Sequence, residues 1–307
     1  MPWLLRWQVG EALSLIDWGG TWLDNRNLQN LSLDMSLLGL ADGVNTYWDV
    51  SRLGVDGTIV VRSNDLVWDA DTGTTAAQDG AGTWTTDNRW WNGSSNVNFV
   101  SNGTSNVIFG TGSGNGAVVQ VNNTGGISVR DITFKSGTGT GAAKYYSISG
   151  AAGANGVLTL AAGSWVKADH DYEVDYGSTI SAVIAGTNWS KAGLGRLILS
   201  ADNTFTGNLS VLQGVLDVRS ALALGTTAGN TQVTGGATLE VRGGITVAEN
   251  LVLNGSGYNN GGASLGALRN QLGNNTFSGT ISLNSATQVT SDDGTLSLSG
   301  VISGTGA

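Results

Sequence analysis

Short stretches in which apolar and polar residues alternate run through most of this chain. Asn106-Val107-Ile108-Phe109, Val157-Leu158-Thr159-Leu160, Val215-Leu216-Asp217-Val218, Thr238-Leu239-Glu240-Val241 and Gly294-Thr295-Leu296-Ser297-Leu298 each place apolar side chains at i and i+2. That period marks a strand with one face in a core and the other in water. Gly, Asn and Ser separate the stretches and supply the positive φ and side-chain hydrogen bonds that corners need. The pattern also returns. Asn203-Thr204-Phe205-Thr206-Gly207-Asn208-Leu209-Ser210-Val211 recurs 72 residues later as Asn275-Thr276-Phe277-Ser278-Gly279-Thr280-Ile281-Ser282-Leu283. Ile180-Ser181-Ala182-Val183-Ile184-Ala185-Gly186-Thr187 recurs 118 residues later, from Leu298 to Thr305.

Such repeats predict a β-solenoid, because one coil cannot bury its apolar face until another stacks on it. The longer phrase implies three turns of about 24 residues, each with three strands and three corners. The predicted fold is all-β, a β-helix of about nine coils over 95–307, roughly 40 Å long at about 4.8 Å per coil. Leu197, Leu199, Phe205, Leu209, Val211, Leu216 and Val218 are expected inside, with Phe205 and Phe277 equivalent and three coils apart. Asn203 and Asn275 are candidates for an internal amide ladder.

Residues 1–63 read differently. They hold five Trp (3, 7, 18, 22 and 48) and a Leu-rich stretch, 28–40. Alternation in Leu31-Ser32-Leu33 and the run Thr58-Ile59-Val60-Val61 favour sheet, although Leu28, Leu31 and Leu38 also suit a short helix. The segment is expected to be β-rich and to pack against, or continue, the solenoid. Residues 64–94 form a lead-in segment or cap rich in Trp and Asp, and 95–307 are the solenoid proper.

Composition narrows the function classes. The 307 residues include 48 Gly, 1 Pro, 1 His and no Cys, and 12% are charged, against about 25% in ordinary domains. With 40% apolar residues the chain can bury a core, which disfavours disorder. No disulfide or thiolate metal site is available. Net charge is −9, and the four Lys are scattered at 135, 144, 167 and 191, so no basic patch exists to neutralise a nucleic-acid backbone. No apolar run of about 18 residues predicts a membrane-spanning helix. Met1-Pro2-Trp3-Leu4-Leu5-Arg6-Trp7 lacks the basic start and sustained apolar stretch of a signal peptide.

Residues 180–218 resemble the autotransporter-associated β-strand repeat of bacterial passenger domains. Lys191, Gly193, Gly195, Leu197, Leu199 and Ser200 match its K-x-G-x-G-x-L-x-L-S portion. Asn203, Thr204, Phe205, Thr206 and Gly207 match the aromatic N-T-[YF]-[TS]-G, and Gly214, Leu216 and Val218 match the closing G-x-L-x-V strand. Ala182 stands where Gly is usual. Val67-Trp68-Asp69 through Trp91-Asn92-Gly93 resembles the W-D-rich segment that often precedes such repeats, and residues 11–61 resemble the closing segment of a preceding unit. The resemblance implies a right-handed parallel β-helix at the bacterial cell surface or secreted. The last repeat stops at Gly306-Ala307, before its Lys-x-Gly-x-Gly portion. The final coil, Gly294 to Ala307, is therefore expected to leave strand edges unpaired, so that the chain self-associates end to end or frays.

Candidate chemistry is sparse. Asp169-His170-Asp171-Tyr172-Glu173-Val174-Asp175 is the densest ionisable cluster. Strand alternation would put 169, 171, 173 and 175 on one face, where Asp169, Asp171 and Asp175 are candidate Ca²⁺ ligands or parts of a carboxylate-assisted lyase or hydrolase; a solvated strand or loop is the favoured reading. Asp69-Ala70-Asp71-Thr72-Gly73 has the spacing of a calcium loop, but its twelfth position is Gly80 where a bidentate Glu is required, so a capped turn is expected. Trp84, Trp90 and Trp91 are candidates for stacking on a sugar, or for closing the end of the core. Thr111-Gly112-Ser113-Gly114-Asn115-Gly116 is a corner, since no Lys or helix follows it. With one His and no Gly-x-Ser-x-Gly in a strand-to-helix setting, no nucleophile–base pair is identified. No cofactor is expected. Two functions follow: a non-catalytic surface or secreted stalk or adhesin, contacting surface glycans or a host or neighbouring cell, and a carbohydrate-active or carbohydrate-binding β-helix. A groove of carboxylates and aromatics along one sheet would favour the second; stacks of Ser, Thr and Asn would favour the first.

Overall fold

The computed structural model describes residues 65–304, apart from 93, 94 and 113, and the backbone of three short strands before them. The chain divides into two units, Met1–Asp65 and Leu66–Ala307. In the first, Thr58–Ser63 lies between Ala12–Ser14 and Thr46–Asp49, antiparallel to both. The Leu-rich stretch 28–40 lies outside the described residues.

The second unit is a parallel β-helix. Its chain passes in order through three faces. The first is a twelve-stranded sheet that includes Asn106–Phe109, Ile132–Lys135, Ser164–Asp169, Trp189–Ala192, Leu209–Val211, Thr231–Val233, Leu251–Gly255, Ile281–Thr287 and Ile302–Gly304. The second is a nine-stranded sheet running from Gly82–Trp84 to Val289–Ser291. The third is interrupted: Ile127–Val129, Val157–Leu160 and Val183–Gly186 pair, and so do Thr246–Val247, Asn275–Phe277 and Leu296–Leu298. The helical pieces among the described residues are two 3-10 turns, Gly141–Lys144 and Gly153–Gly156. None of the helices is long and apolar enough to cross a membrane.

Coil length varies more than a single period suggests. Lys191 and Val211 lie in register on neighbouring coils, 20 residues apart, whereas Ile132 and Val166 are 34 apart. Val211, Val233, Leu253 and Leu283 stand in one column, so the 72-residue phrase does span three coils of unequal length. The seven side chains expected inside are fully buried, and so is Phe277.

Asn203 and Asn275 are buried but do not stack in a ladder. Each instead turns its Oδ1 to the coil before, accepting from Ile184 N and from Ile245 N, both at 2.8 Å. An amide ladder exists elsewhere, on the corner leading into the first face. Asn208 N donates to Asn188 Oδ1, Asn230 N to Asn208 Oδ1 and Thr280 N to Asn250 Oδ1, at 2.7, 3.1 and 2.9 Å.

One expectation about strand faces is corrected. In Arg196–Leu199, Gly214–Val218 and positions 237–241 of Ala237–Arg242, the outward residues are buried as well as the inward ones. This part of the second face is covered on both sides, as in strands that read as near-continuous apolar runs. Ile198 and Val215, at outward positions, carry that signal in the sequence.

Candidate functional site

The cover comes from the corner between the first and second faces. Three successive coils turn it tightly, through 193–195, 212–213 and 234–236. Elsewhere it carries longer loops at 110–117, 136–146, 170–177 and 256–267. Insertions confined to one corner are where solenoids display contacts. Neighbouring loops are tied together. Asp79 accepts from Thr111 N at 2.9 Å, Gly114 N at 2.9 Å and the Tyr146 hydroxyl at 3.0 Å. Lys144 Nζ pairs with Glu173 at 2.8 Å, and the Tyr145 ring packs on His170 with centroids 4.6 Å apart. The Lys144 hydrogen bond holds the Glu173 carboxyl below the usual range.

Beneath loops 170–177 and 256–267 lies an ionic network. Asp217, Glu240 and Arg269 occupy one register column on neighbouring strands. Arg196 Nη1 donates to Asp217 Oδ2 at 2.9 Å and also binds Glu240, while Arg269 Nη1 donates to Glu240 Oε2 at 2.9 Å. Arg196, Asp217 and Glu240 are fully buried. Burial works against the Arg196 charge, but Glu240 and Asp217 outweigh it and its pKa is raised. The Tyr172 hydroxyl accepts from Arg196 Nη2 at 3.0 Å and Arg269 Nη1 at 3.1 Å, and its ring lies 5.4 Å from that of Tyr258. Loop 170–177 is thus a strap pinned over the sheet, with Val174 and Tyr176 exposed on its outside. The sequence reading missed this network, because its members lie far apart in the chain and meet only when coils stack.

The candidates from the sequence fare differently. Strand Ser164–Asp169 ends at Asp169, and 171–175 belong to the strap, so the predicted single face of carboxylates does not form. Asp169 pairs with Lys167 at 3.2 Å, while Asp171 and Asp175 are exposed. Among the described residues, no group of three or more His, Cys, Asp or Glu is placed to hold a metal ion. His170, the first residue of the strap, is buried, and burial lowers its pKa. Its Nδ1 lies 2.9 Å from Asp171 O, which can only accept, and its Nε2 lies 3.1 Å from Ser178 Oγ. The neutral ring with its proton on Nδ1 satisfies both contacts.

Asp69 makes a capped turn, as expected, accepting from Asp71 N at 3.0 Å and Gln78 N at 2.9 Å. Trp84 and Trp90 are fully buried with Trp68, their rings packed on Phe99 and Phe109. That burial removes them from any sugar-stacking surface and makes them an aromatic layer in the earliest coils. Trp91, their strand neighbour, is half-buried.

Over 248 residues, 80% of its length, the chain is 31% identical to the "Adhesin BmaC autotransporter" of Brucella suis biovar 1 (strain 1330). The likeness supports an autotransporter passenger. The chain spans 6% of the length of that protein. No family model and no solved structure matches it.

The residues of the Lys-x-Gly-x-Gly spacing do meet in space. Lys191 points inward and is fully buried; its Nζ donates to the carbonyls of Gly193 and Gly195 at 2.6 Å and of Gln213 at 2.7 Å. Burial pushes its pKa well down, yet three acceptors call for three N–H donors, which only the ammonium has. We take the cage as holding a charged lysine. Gly195 is required beside it, because a Cβ there would enter the His170 ring.

Proposed function

We propose that this chain is a non-catalytic stretch of a cell-surface or secreted passenger, a stalk whose loop-bearing corner makes adhesive contacts. One observation carries the reading. On the outside of the twelve-stranded sheet, Ser190, Ser210, Gln232, Val252, Ser282 and Ser303 stand in register on successive coils. Glycoside hydrolysis canonically uses a pair of carboxylates flanking the scissile bond, and this column is uncharged. The engaged ring nitrogens of His170 point the same way. The resemblance of the repeat and the likeness to an adhesin support display outside the cell. Contact with surface glycans or with a host or neighbouring cell is part of the same proposal.

The test uses the purified chain on beads. Replacing loop 256–267 with the short corner 234–236, and likewise shortening 136–146, should lower bead adherence to cultured cells several-fold. The replacements should leave the β-sheet circular dichroism intact. Unchanged adherence would refute the loop assignment, and release of reducing ends or unsaturated products from a polysaccharide panel would refute the non-catalytic reading. Binding of one polysaccharide that is lost with the loops would favour the carbohydrate-binding alternative.

A further inference from the structure

The corner that leads from the third face into the first is built on glycine. Register places Gly207, Gly229, Glu249, Gly279 and Gly300 in one column, each two residues ahead of a paired strand position. Crowding explains the glycines: a Cβ on Gly229 would strike the Gly207 carbonyl, one on Gly279 the Glu249 carbonyl, and one on Gly300 the Gly279 carbonyl. Within this run, which Thr187 precedes on the coil before, Glu249 is the member that is not glycine.

Its side chain is inside. Val247, Glu249 and Leu251 are buried while Ala248 between them is exposed, and Glu249 itself is 3% exposed. The other buried charges are answered: Arg196, Asp217 and Glu240 by one another, Arg269 by Glu240 and Asp292, Asp69 by Asp71 N, Gln78 N and Asn96, Lys191 by three carbonyls. Glu249 Oε2 has no hydrogen-bond partner among the described residues. The segments stacked on it, 227–231 and 277–281, contain no titratable side chain, and Tyr258 is the only other titratable residue between Arg242 and Arg269. Burial, with no opposing charge, raises this carboxyl to about 7.

The adjacent residue links two coils. Asn250 Oδ1 accepts from Thr280 N at 2.9 Å and from Thr280 Oγ1 at 2.7 Å, and Asn250 O accepts from Thr231 N at 2.9 Å. We infer that Glu249 is a proton-operated catch: protonated it stays inside the coil, and ionised it leaves, drawing Asn250 off Thr280 and loosening the stack between the coils on either side.

The direction follows from linkage. The closed corner holds a proton that the open corner, with an ordinary glutamic acid near 4.5, releases. The closed form is therefore fully favoured below that value, loses ground as pH rises, and levels off above about 7.

The test is hydrogen exchange on the full chain, following amides 250–253 and 280–283 from about pH 5 to about pH 7.5, with rates corrected for intrinsic exchange. Protection in the unmodified chain should fall by up to about tenfold per pH unit across this range, while amides 196–199 keep theirs. Glu249→Gln should abolish the fall. Glu249→Gly, which gives the corner the residue of its neighbours, should fold and be equally flat. A fall of the same size in either variant, or no fall in the unmodified chain, would overturn the inference.

Discussion

Lys191 occupies a core position that the coils on either side fill with Val166 and Val211. An ammonium is tolerated there because its three hydrogens meet three carbonyls of the tight corner, of which Gly195 O also accepts from Val215 N at 3.4 Å. Lys191→Met should therefore cost about 2 kcal/mol or more, since each buried carbonyl left unsatisfied costs about 1–3 kcal/mol. A urea titration reads this as a lower midpoint; an unchanged midpoint would mean that water replaces the ammonium. Phe205 offers a purely apolar comparison. It is fully buried against Trp189, with ring centroids 5.7 Å apart. Phe205→Ala should cost about 3–5 kcal/mol if the space does not collapse, and a loss below about 1 kcal/mol would contradict its burial. The inward set was legible because period-two alternation fixes which side chains share a face. The cage was legible only as a spacing: Lys191, Gly193 and Gly195 stood out, but Gln213, a coil away, did not.

At the scale of elements, the strap 170–177 and the strands beneath it depend on each other. The strap has no strand partner, and Tyr172 fixes it through two guanidiniums. Tyr172→Phe should release it while leaving the ring in place. The expected outcome is rapid proteolytic cleavage within 170–177 with little change in β-sheet circular dichroism; unaltered cleavage would mean that backbone contacts such as Arg196 Nε to Glu173 O, 3.1 Å, suffice. Strands, corners and the three-coil phrase were readable because local sequence sets them. The cover on the second face was not, although Ile198 and Val215 hinted at it. Which loop covers a face is decided by coil stacking, and coils of 20 to 34 residues shift each loop along the axis by amounts that a single period hides. The cluster 169–175 stood out in the sequence for its density of ionisable residues. Its role differs from a row of exposed carboxylates, because the strand ends at Asp169.

For the second unit as a whole, the last described coil leaves apolar side chains in water. Val301 is 71% exposed and Ile302 48%, and Leu296 and Leu298 are only half-buried. Among the described residues, strands Leu296–Leu298 and Ile302–Gly304 each pair on one side only, and such edges recruit further strands. This chain in isolation should self-associate or fray over its last coil, and a polar coil added after Ala307 should relieve both. Light scattering with hydrogen exchange on 285–304 checks this; a monomer fully protected there would contradict it.

The reach of Tyr172 across the coils has a mechanical consequence. A parallel β-helix pulled along its axis carries the load in series, and its ladders give way one coil after another from the loaded end. The contact between Tyr172 and Arg269 joins residues 97 apart, so the coils between them are bridged from outside. Peeling from the C-terminal side would run freely as far as that bridge and then stall until the strap let go. Tension on this unit would be met by a soft, extensible tail followed by a resistant clasped middle.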